Sequence, residues 1–242
     1  MSGRERFATA RLRVLSEEKT RGGIGTLSEK LLHKILKFYV DNDQSHHEIP
    51  VFGKVADVFD GNEIFEVQTR AFERLLPKLD KFLQSYKTTV ILPLVGSVKI
   101  HYIDKSTGEL VKDRRASRHD GLNRAACELY KIASYIPSPS LKIKVLFVDF
   151  DEYRYLGIKG KKALIERIPA CIAGELELSE VQSYRSFIPD SLPTPFSASE
   201  LSKAIKLDSR RTHNTLSLLM SLGILERERS GRAYLYKLTK MG

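Results

Sequence analysis

The sequence predicts an α/β fold with a mixed sheet, followed by a small second unit at the C-terminal end. Helical and strand-like apolar patterns alternate over the first three quarters of the chain. Three of the nine prolines then fall within residues 188–196, which indicates a linker. With 242 residues, 42% of them hydrophobic, the chain can form one large domain, or a medium domain with a small companion.

Periodicity and turn chemistry predict the elements of the first unit, which we place at residues 24–188. Residues 1–23 are basic and poorly periodic, and we interpret them as a partly ordered basic arm. The pattern Thr26-Leu-Ser-Glu29 fits a capping box and predicts a helix that continues to Val40. The other predicted elements are strands at 54–59, 63–69, 88–92, 98–103, 109–111 and 142–150, and helices at 71–86 and 122–135.

The linker at 189–196 leads into a second unit at residues 197–242. Ser197 and Glu200 form a second capping-box pattern, and Asp208 is suited to cap the helix that follows. The predicted elements are a short helix at 197–205, a longer helix at 208–222 and a hairpin at 224–238. Two helices joined by a tight turn and followed by a two-stranded wing resemble the winged helix-turn-helix family.

This resemblance implies that the second helix of the unit enters the major groove of double-stranded DNA. The charge agrees, because residues 196–242 contribute half of the net charge of +10. Winged helices also mediate protein contacts, so that alternative stays open. The candidate DNA-binding residues are Arg210, Arg211, Thr212, His213 and Asn214 on the helix, Arg229 and Arg232 on the wing, and Arg114, Arg115 and Arg118 in a basic loop at 112–119.

The hairpin predicted at residues 54–69 carries two acids that should face each other. A tight turn over Gly61-Asn62 pairs Asp60 with Glu63, and the same register places Asp57 opposite Glu66. Like charges at opposed positions are destabilising, and the apolar neighbours suggest partial burial. A divalent cation held between the carboxylates would compensate, and oxygen ligands favour Mg²⁺ or Mn²⁺. The two cysteines form no zinc-binding pattern.

An acid on the first helix, an Asp on a strand and Glu-x-Gln on the next strand resemble the PD-(D/E)XK nuclease superfamily, which has a restriction-endonuclease-like αβββαβ core. The resemblance implies that Asp57 and Glu66 bind the catalytic metal, helped by the Val67 carbonyl. It implies that Glu29 binds or orients a metal or its water. Gln68 stands where the family usually has a catalytic Lys, and Lys54, Lys87 and Lys99 are alternative cations.

We therefore expect a metal-dependent DNA endonuclease in a prokaryotic cytoplasm, acting as a homodimer or with a partner protein of a transposition or defence system. A non-catalytic DNA-binding regulator built on an inactive nuclease-like core is the alternative, and an RNA-processing factor is a weaker one. The N-terminus lacks the apolar core of a signal peptide, and no apolar run approaches the roughly 18 residues of a membrane span. We expect no membrane partner.

Overall fold

A mixed sheet forms the centre of the computed structural model, which describes residues 2–20, 28–116, 119–159, 163–231 and 233–240. Within these residues the sheet has the order β1-β2-β3-β4-β6-β7, and β5 also pairs with β4. Strand β4 is parallel to β3 and β6, and the other pairs are antiparallel. The strands are β1 (His47–Val51), β2 (Lys54–Phe59), β3 (Glu63–Val67), β4 (Lys87–Ile103), β5 (Leu110–Ala116), β6 (Leu141–Tyr155) and β7 (Leu164–Leu178).

Helices cover both faces of this sheet. On one face, α1 (Gly3–Thr20) and α2 (Ser28–Val40) form an apolar core with Ile91. On the other face, α3 (Leu76–Phe82) and α4 (Asn123–Leu129) pack in a core with Val90. Neighbouring residues of a strand point to opposite faces, so one strand supplies both cores. The α/β class with a mixed sheet is as expected.

Helix α1 differs from the expected partly ordered arm. Phe7, Ala10 and Val14 are fully buried against α2, at a spacing of three and four residues. Charged residues occupy most of the other positions of α1, so the buried stripe is narrow and does not dominate the local composition. Residues 3–20 therefore form a packed helix of the α/β unit.

Four further segments depart from the predicted elements. The helix expected at 71–86 is a 3₁₀ turn (Phe72–Leu75) followed by the short α3. The two strands expected at 88–92 and 98–103 are the continuous β4, with an irregularity between Val95 and Val98. The basic loop expected at 112–119 is mostly β5, an edge strand, and β7 was not predicted at all.

The C-terminal unit contains the two helices and the hairpin that the sequence predicts. Its elements are β8 (Phe196–Ser197), α5 (Ala198–Ile205), α6 (Ser209–Ser221), β9 (Leu225–Ser230) and β10 (Ala233–Leu238), with the strands in the order β8-β10-β9. The Ser197–Glu200 capping box is present, and the Asp208 carboxylate accepts a hydrogen bond from the Arg211 N–H at 2.9 Å. Both predicted caps are confirmed.

The proline-rich segment does not separate two independent cores. Ile188 and Phe196, at its two ends, are buried in the same cluster as Leu216 of α6 and Leu129 of α4. The C-terminal unit therefore rests on the face of the sheet that α3 and α4 cover. None of the described helices is long and apolar enough to cross a membrane.

Candidate functional site: a row of acids across three strands

The two hairpin acids lie where β2 and β3 begin to separate. The ladder between these strands pairs Val58 with Phe65 and Phe59 with Ile64, so the register that places Asp57 opposite Glu66 is confirmed. The ladder does not continue to the acids. Instead, each carboxylate bonds to the other strand: Asp57 Oδ2 accepts from the Val67 N–H at 2.8 Å, and Glu66 Oε1 accepts from the Asp57 N–H at 3.3 Å.

Asp57 is held in its ionised form by a histidine of α2. Nε2 of His33 lies 3.1 Å from Asp57 Oδ2. Burial opposes ionisation of Asp57, but the hydrogen bond and charge of His33, with the Val67 N–H, lower the pKa of Asp57 below its ordinary value. Asp57 is thus a carboxylate acceptor at neutral pH.

The pKa of Glu66 is shifted in the opposite direction to that of Asp57, although a lysine contacts Glu66. Its side chain is 1% exposed, and Lys78 Nζ of α3 lies 2.7 Å from Glu66 Oε2. Burial, followed by the negative charge of Asp57, raises the pKa of Glu66 to about 7, and Lys78 only partly offsets this. Two neighbouring carboxyls with pKa values shifted in opposite directions are typical of functional sites.

Glu48 of β1 continues the row, whereas in the sequence His46-His47-Glu48 indicates only the exposed start of a strand. The β1–β2 ladder pairs His47 with Val58 and Ile49 with Ala56, so Glu48 is level with Asp57. Glu48 has φ 56°, a left-handed conformation that non-glycine residues rarely adopt. Its carboxylate lies 2.7 Å from Lys37 Nζ of α2, and it interacts electrostatically with Asp57. Three strands therefore place Glu48, Asp57 and Glu66 side by side.

A basic side chain of a helix contacts each acid of this row. His33 and Lys37 come from α2 and contact Asp57 and Glu48, whereas Lys78 comes from α3 and contacts Glu66. The sequence analysis assigned no role to His33 or to Lys78. These side chains reach the acids through helix packing, which the spacing of residues within one helix does not reveal.

Glu29, the third acid expected at the site, contacts the segment that follows β3. Its carboxylate accepts from Thr69 Oγ1 at 2.7 Å and from Arg70 at 2.9 Å, and its side chain is 52% exposed. These contacts hold the start of α2 beside the end of β3. Glu29 thus contacts the residues two and three positions beyond Val67, where the strand that carries Glu66 ends.

Gln68 supports a turn. Its side-chain amide donates to the carbonyl oxygens of Arg70 and Ala71, and its backbone N–H donates to Ile91 O at 2.9 Å. Ala71 has φ 57°, so the amide of Gln68 bonds to a strained turn between β3 and α3. The cation beside Glu66 is Lys78, whereas Lys99, one of the proposed alternatives, pairs with Asp113.

The donor set fits a hard divalent cation. Asp57 and Glu66 supply carboxylate oxygens, and Mg²⁺ is commonly bound through one or two carboxylates while it keeps several waters. Among the described residues no three His, Cys, Asp or Glu side chains converge as a complete ligand set. Water and backbone oxygens would therefore complete the coordination of a cation bound by this pair.

A family model described as "Domain of unknown function (DUF8091)" matches residues 30–183. The chain belongs to this family. No curated protein and no solved structure matches the chain. The matched region contains Glu48, Asp57 and Glu66 with their three basic partners, and it ends before the C-terminal unit. The acid row is thus a feature of the DUF8091 part of the chain.

The candidate DNA-binding residues of α6 lie outside the DUF8091 region and differ in exposure. Arg210, Arg211 and His213 are exposed, and Asn214 is half-buried. Thr212 is fully buried and donates to the Asp208 carbonyl at 2.9 Å. The expectation that Thr212 contacts DNA is therefore wrong, because its side chain faces the protein interior.

The other candidate DNA-binding residues lie on the β9–β10 hairpin and on β5. Arg229 is exposed near the turn of this hairpin, and Arg114 and Arg115 are exposed on β5. Arg118 and Arg232 lie outside the described residues. Arg229 lies on β9, whereas Arg114 and Arg115 lie on β5. These exposed arginines therefore define two separate candidate regions for phosphate contact.

Proposed function

We propose that the protein is a metal-dependent DNA endonuclease that hydrolyses phosphodiester bonds at Asp57 and Glu66. The observation that carries the proposal is the placement of these two carboxylates at the point where β2 and β3 separate, with Glu66 buried and its pKa raised to about 7. A buried acid pair has a high desolvation cost, which a bound divalent cation would remove.

The order of the elements supports a restriction-endonuclease-like core. Helix α2 precedes the antiparallel strands β1, β2 and β3, and α3 then leads to β4, which is parallel to β3. This is the αβββαβ order of that fold. The acid pair lies on its second and third strands, where the PD-(D/E)XK resemblance implies the metal ligands.

The side chains of the site suit hydrolysis of a phosphodiester. When bound, Mg²⁺ or Mn²⁺ would supply Lewis acidity and lower the pKa of a water ligand. Asp57, already ionised, would bind and orient that cation with Glu66. Lys78 provides the positive charge that Gln68 cannot, and it lies 2.7 Å from Glu66, where it can stabilise charge that develops on a phosphate.

The C-terminal unit would hold the duplex in this proposal. Its helix–turn–helix and wing elements support a winged-helix assignment, and Arg210, Arg211 and Arg229 are exposed on α6 and β9. Double-strand cutting would then require two chains or a partner protein. A mobile-element or defence endonuclease of the prokaryotic cytoplasm combines these properties.

Binding without catalysis is the second candidate function, and the position of Gln68 favours it. The amide of Gln68 bonds to the turn after β3 and supplies no charge beside Glu66. In this case Lys78 would serve only to neutralise Glu66. The two functions differ in whether DNA is cut, and both include DNA binding.

Nicking of supercoiled plasmid in Mg²⁺ or Mn²⁺ distinguishes them. We expect metal-dependent nicking by the wild-type protein that EDTA abolishes, and loss of nicking in Asp57→Asn and Glu66→Gln. Lys78→Met should lower the rate by about 10²-fold or more, as does loss of one charge-stabilising group in other hydrolases. Glu177→Gln, a change at an exposed acid of β7 that pairs with Lys142, should leave nicking unchanged. Intact plasmid with undiminished DNA binding would refute the endonuclease.

A further inference from the structure

A cavity lined by three lysines and by two glutamates, Glu18 and Glu48, adjoins the acid row on the side of α2. It has a volume of about 440 Å³ and lies between α2, the end of α1 and β1. Lys30, Lys34 and Lys37 of α2 line it together with His33, whose ring also contacts Asp57 at 3.1 Å. The cavity is therefore one side chain away from the proposed metal ligands.

The three lysines follow one face of α2. They are spaced by four and three residues, so Lys30 and Lys37 are ~10 Å apart along the helix axis at 1.5 Å per residue. That length equals roughly three nucleotide steps of a B-form strand, at 3.4 Å per step. A strand that passes the acid row could therefore place a neighbouring phosphate at this face.

Two of these lysines form ion pairs with acidic side chains of the protein. Glu17 and Glu18, at the end of α1, lie 2.8 Å and 3.1 Å from Lys34 Nζ. Lys37 pairs with Glu48, and Lys30 makes no ion pair with a described residue. The partners at Lys34 are each about a third exposed, and ion pairs of that kind contribute about 0–1 kcal/mol.

We propose that this cavity binds a backbone phosphate of the DNA strand through Lys30 and Lys34. In the absence of DNA, Glu17 and Glu18 pair with Lys34, and the DNA phosphate displaces them. The inference rests on the proposed function, because it takes DNA as the ligand. The weak Glu–Lys34 pairs can be exchanged for phosphate contacts at small cost, since DNA binding also releases counterions.

The lysines are tested by the salt dependence of binding to a short fluorescent duplex in EDTA, measured by anisotropy. For Lys30→Ala/Lys34→Ala we expect the slope of log K against log salt concentration to fall in magnitude by about 1–2, because each phosphate contact contributes about 0.9. The matched control Lys81→Ala/Lys142→Ala removes the same charge from two partly or fully exposed lysines outside the cavity and should keep the wild-type slope. Equal slopes for both double variants, or no binding by the wild type, would overturn the proposal.

The same assay tests the role of Glu17 and Glu18, whose removal should strengthen DNA binding rather than weaken it. Glu17→Gln/Glu18→Gln frees Lys34 and should tighten DNA binding about two- to fivefold, which corresponds to weak ion pairs. Glu177→Gln/Glu180→Gln adds the same charge at exposed positions away from the cavity and should tighten binding less. Equal effects of the two acid pairs would overturn the competition between α1 and DNA. EDTA prevents cutting, so the two proposals fail separately. Equal salt slopes for the two lysine double variants would refute only phosphate binding in the cavity, whereas absence of metal-dependent nicking by the wild type would refute only the endonuclease.

Discussion

Replacing Glu66 by glutamine should stabilise the protein above neutral pH, although both Glu66 oxygens accept hydrogen bonds. The carboxyl group is 1% exposed, and burial together with the charge of Asp57 raises its pKa from the ordinary 4.5 to about 7. Glutamine has nearly the same shape and carries no charge that must lose its hydration. Its amide oxygen can still accept a hydrogen bond from Lys78.

The magnitude follows from the two pKa values of Glu66. Between pH 4.5 and about 7 the folded protein keeps the proton that the unfolded chain has lost. The contribution of Glu66 to the free energy of unfolding is therefore fully present below pH 4.5 and is lost as the pH rises through about 7. The difference between the two pKa values corresponds to about 3 kcal/mol of unfolding free energy. Glu66→Gln should thus raise the free energy of unfolding by about 2–3 kcal/mol near pH 8 and by less than about 1 kcal/mol near pH 4.5.

Urea unfolding followed by far-ultraviolet circular dichroism measures this, since the chain contains no Trp. Glu226→Gln is the control, because this acid is half-exposed and pairs with Lys237 at 3.5 Å. We expect the control to change the free energy of unfolding by less than about 0.5 kcal/mol at either pH. A Glu66→Gln variant that is destabilised at both pH values would refute the reasoning, because the bonds to Lys78 and the Asp57 N–H would then outweigh the desolvation of the charge.

Two further changes test the packing around the site and the sheet. His33→Ala should lower the free energy of unfolding by about 1 kcal/mol near pH 6. Because His33 lowers the pKa of Asp57, the stability lost in His33→Ala should disappear at low pH, where Asp57 is protonated. An equal loss of stability at low pH would contradict the His33–Asp57 pairing. Gly96→Ala should destabilise by about 1 kcal/mol in thermal unfolding, since the added Cβ would lie 2.6 Å from Asp149 Oδ1 and would displace the carboxylate from its hydrogen bond with the Ser97 N–H. Gly121→Ala, with no atom within 4 Å of the added Cβ, should show no comparable loss.

The position of the acid pair could be predicted because a short turn fixes the register of a hairpin. Only two residues, Gly61 and Asn62, separate Asp60 from Glu63, and this count alone brings Asp57 level with Glu66. The same reasoning would have found Glu48. The turn at Phe52-Gly53 pairs Val51 with Lys54, and the register then continues to Glu48 and Asp57.

The full extent of β1 could not be predicted, because residues 46–48 indicate only the exposed start of a strand. Pro50 lies inside it, and proline is tolerated only at a sheet edge, which is where β1 lies. The basic partners of the acids could not be predicted for another reason. His33 and Lys78 reach the acids from two different helices, α2 and α3, and the rotation of each helix depends on the complete core. Periodicity gives the buried face of α2 but not which strand that face meets.

Folding alone gives no reason for an acid pair at this place in the sheet. Buried ion pairs can often be replaced by apolar residues without loss of stability, so the Glu66–Lys78 contact is not needed to form the core around it. Apolar residues already fill the neighbouring positions, with Ile64 and Val67 buried on either side of Glu66. The chain thus keeps a carboxyl whose pKa of about 7 reports a destabilised charge. A residue that lowers stability where an apolar one would fit is characteristic of a site selected for binding or catalysis, and this supports Asp57 and Glu66 as the first residues to mutate.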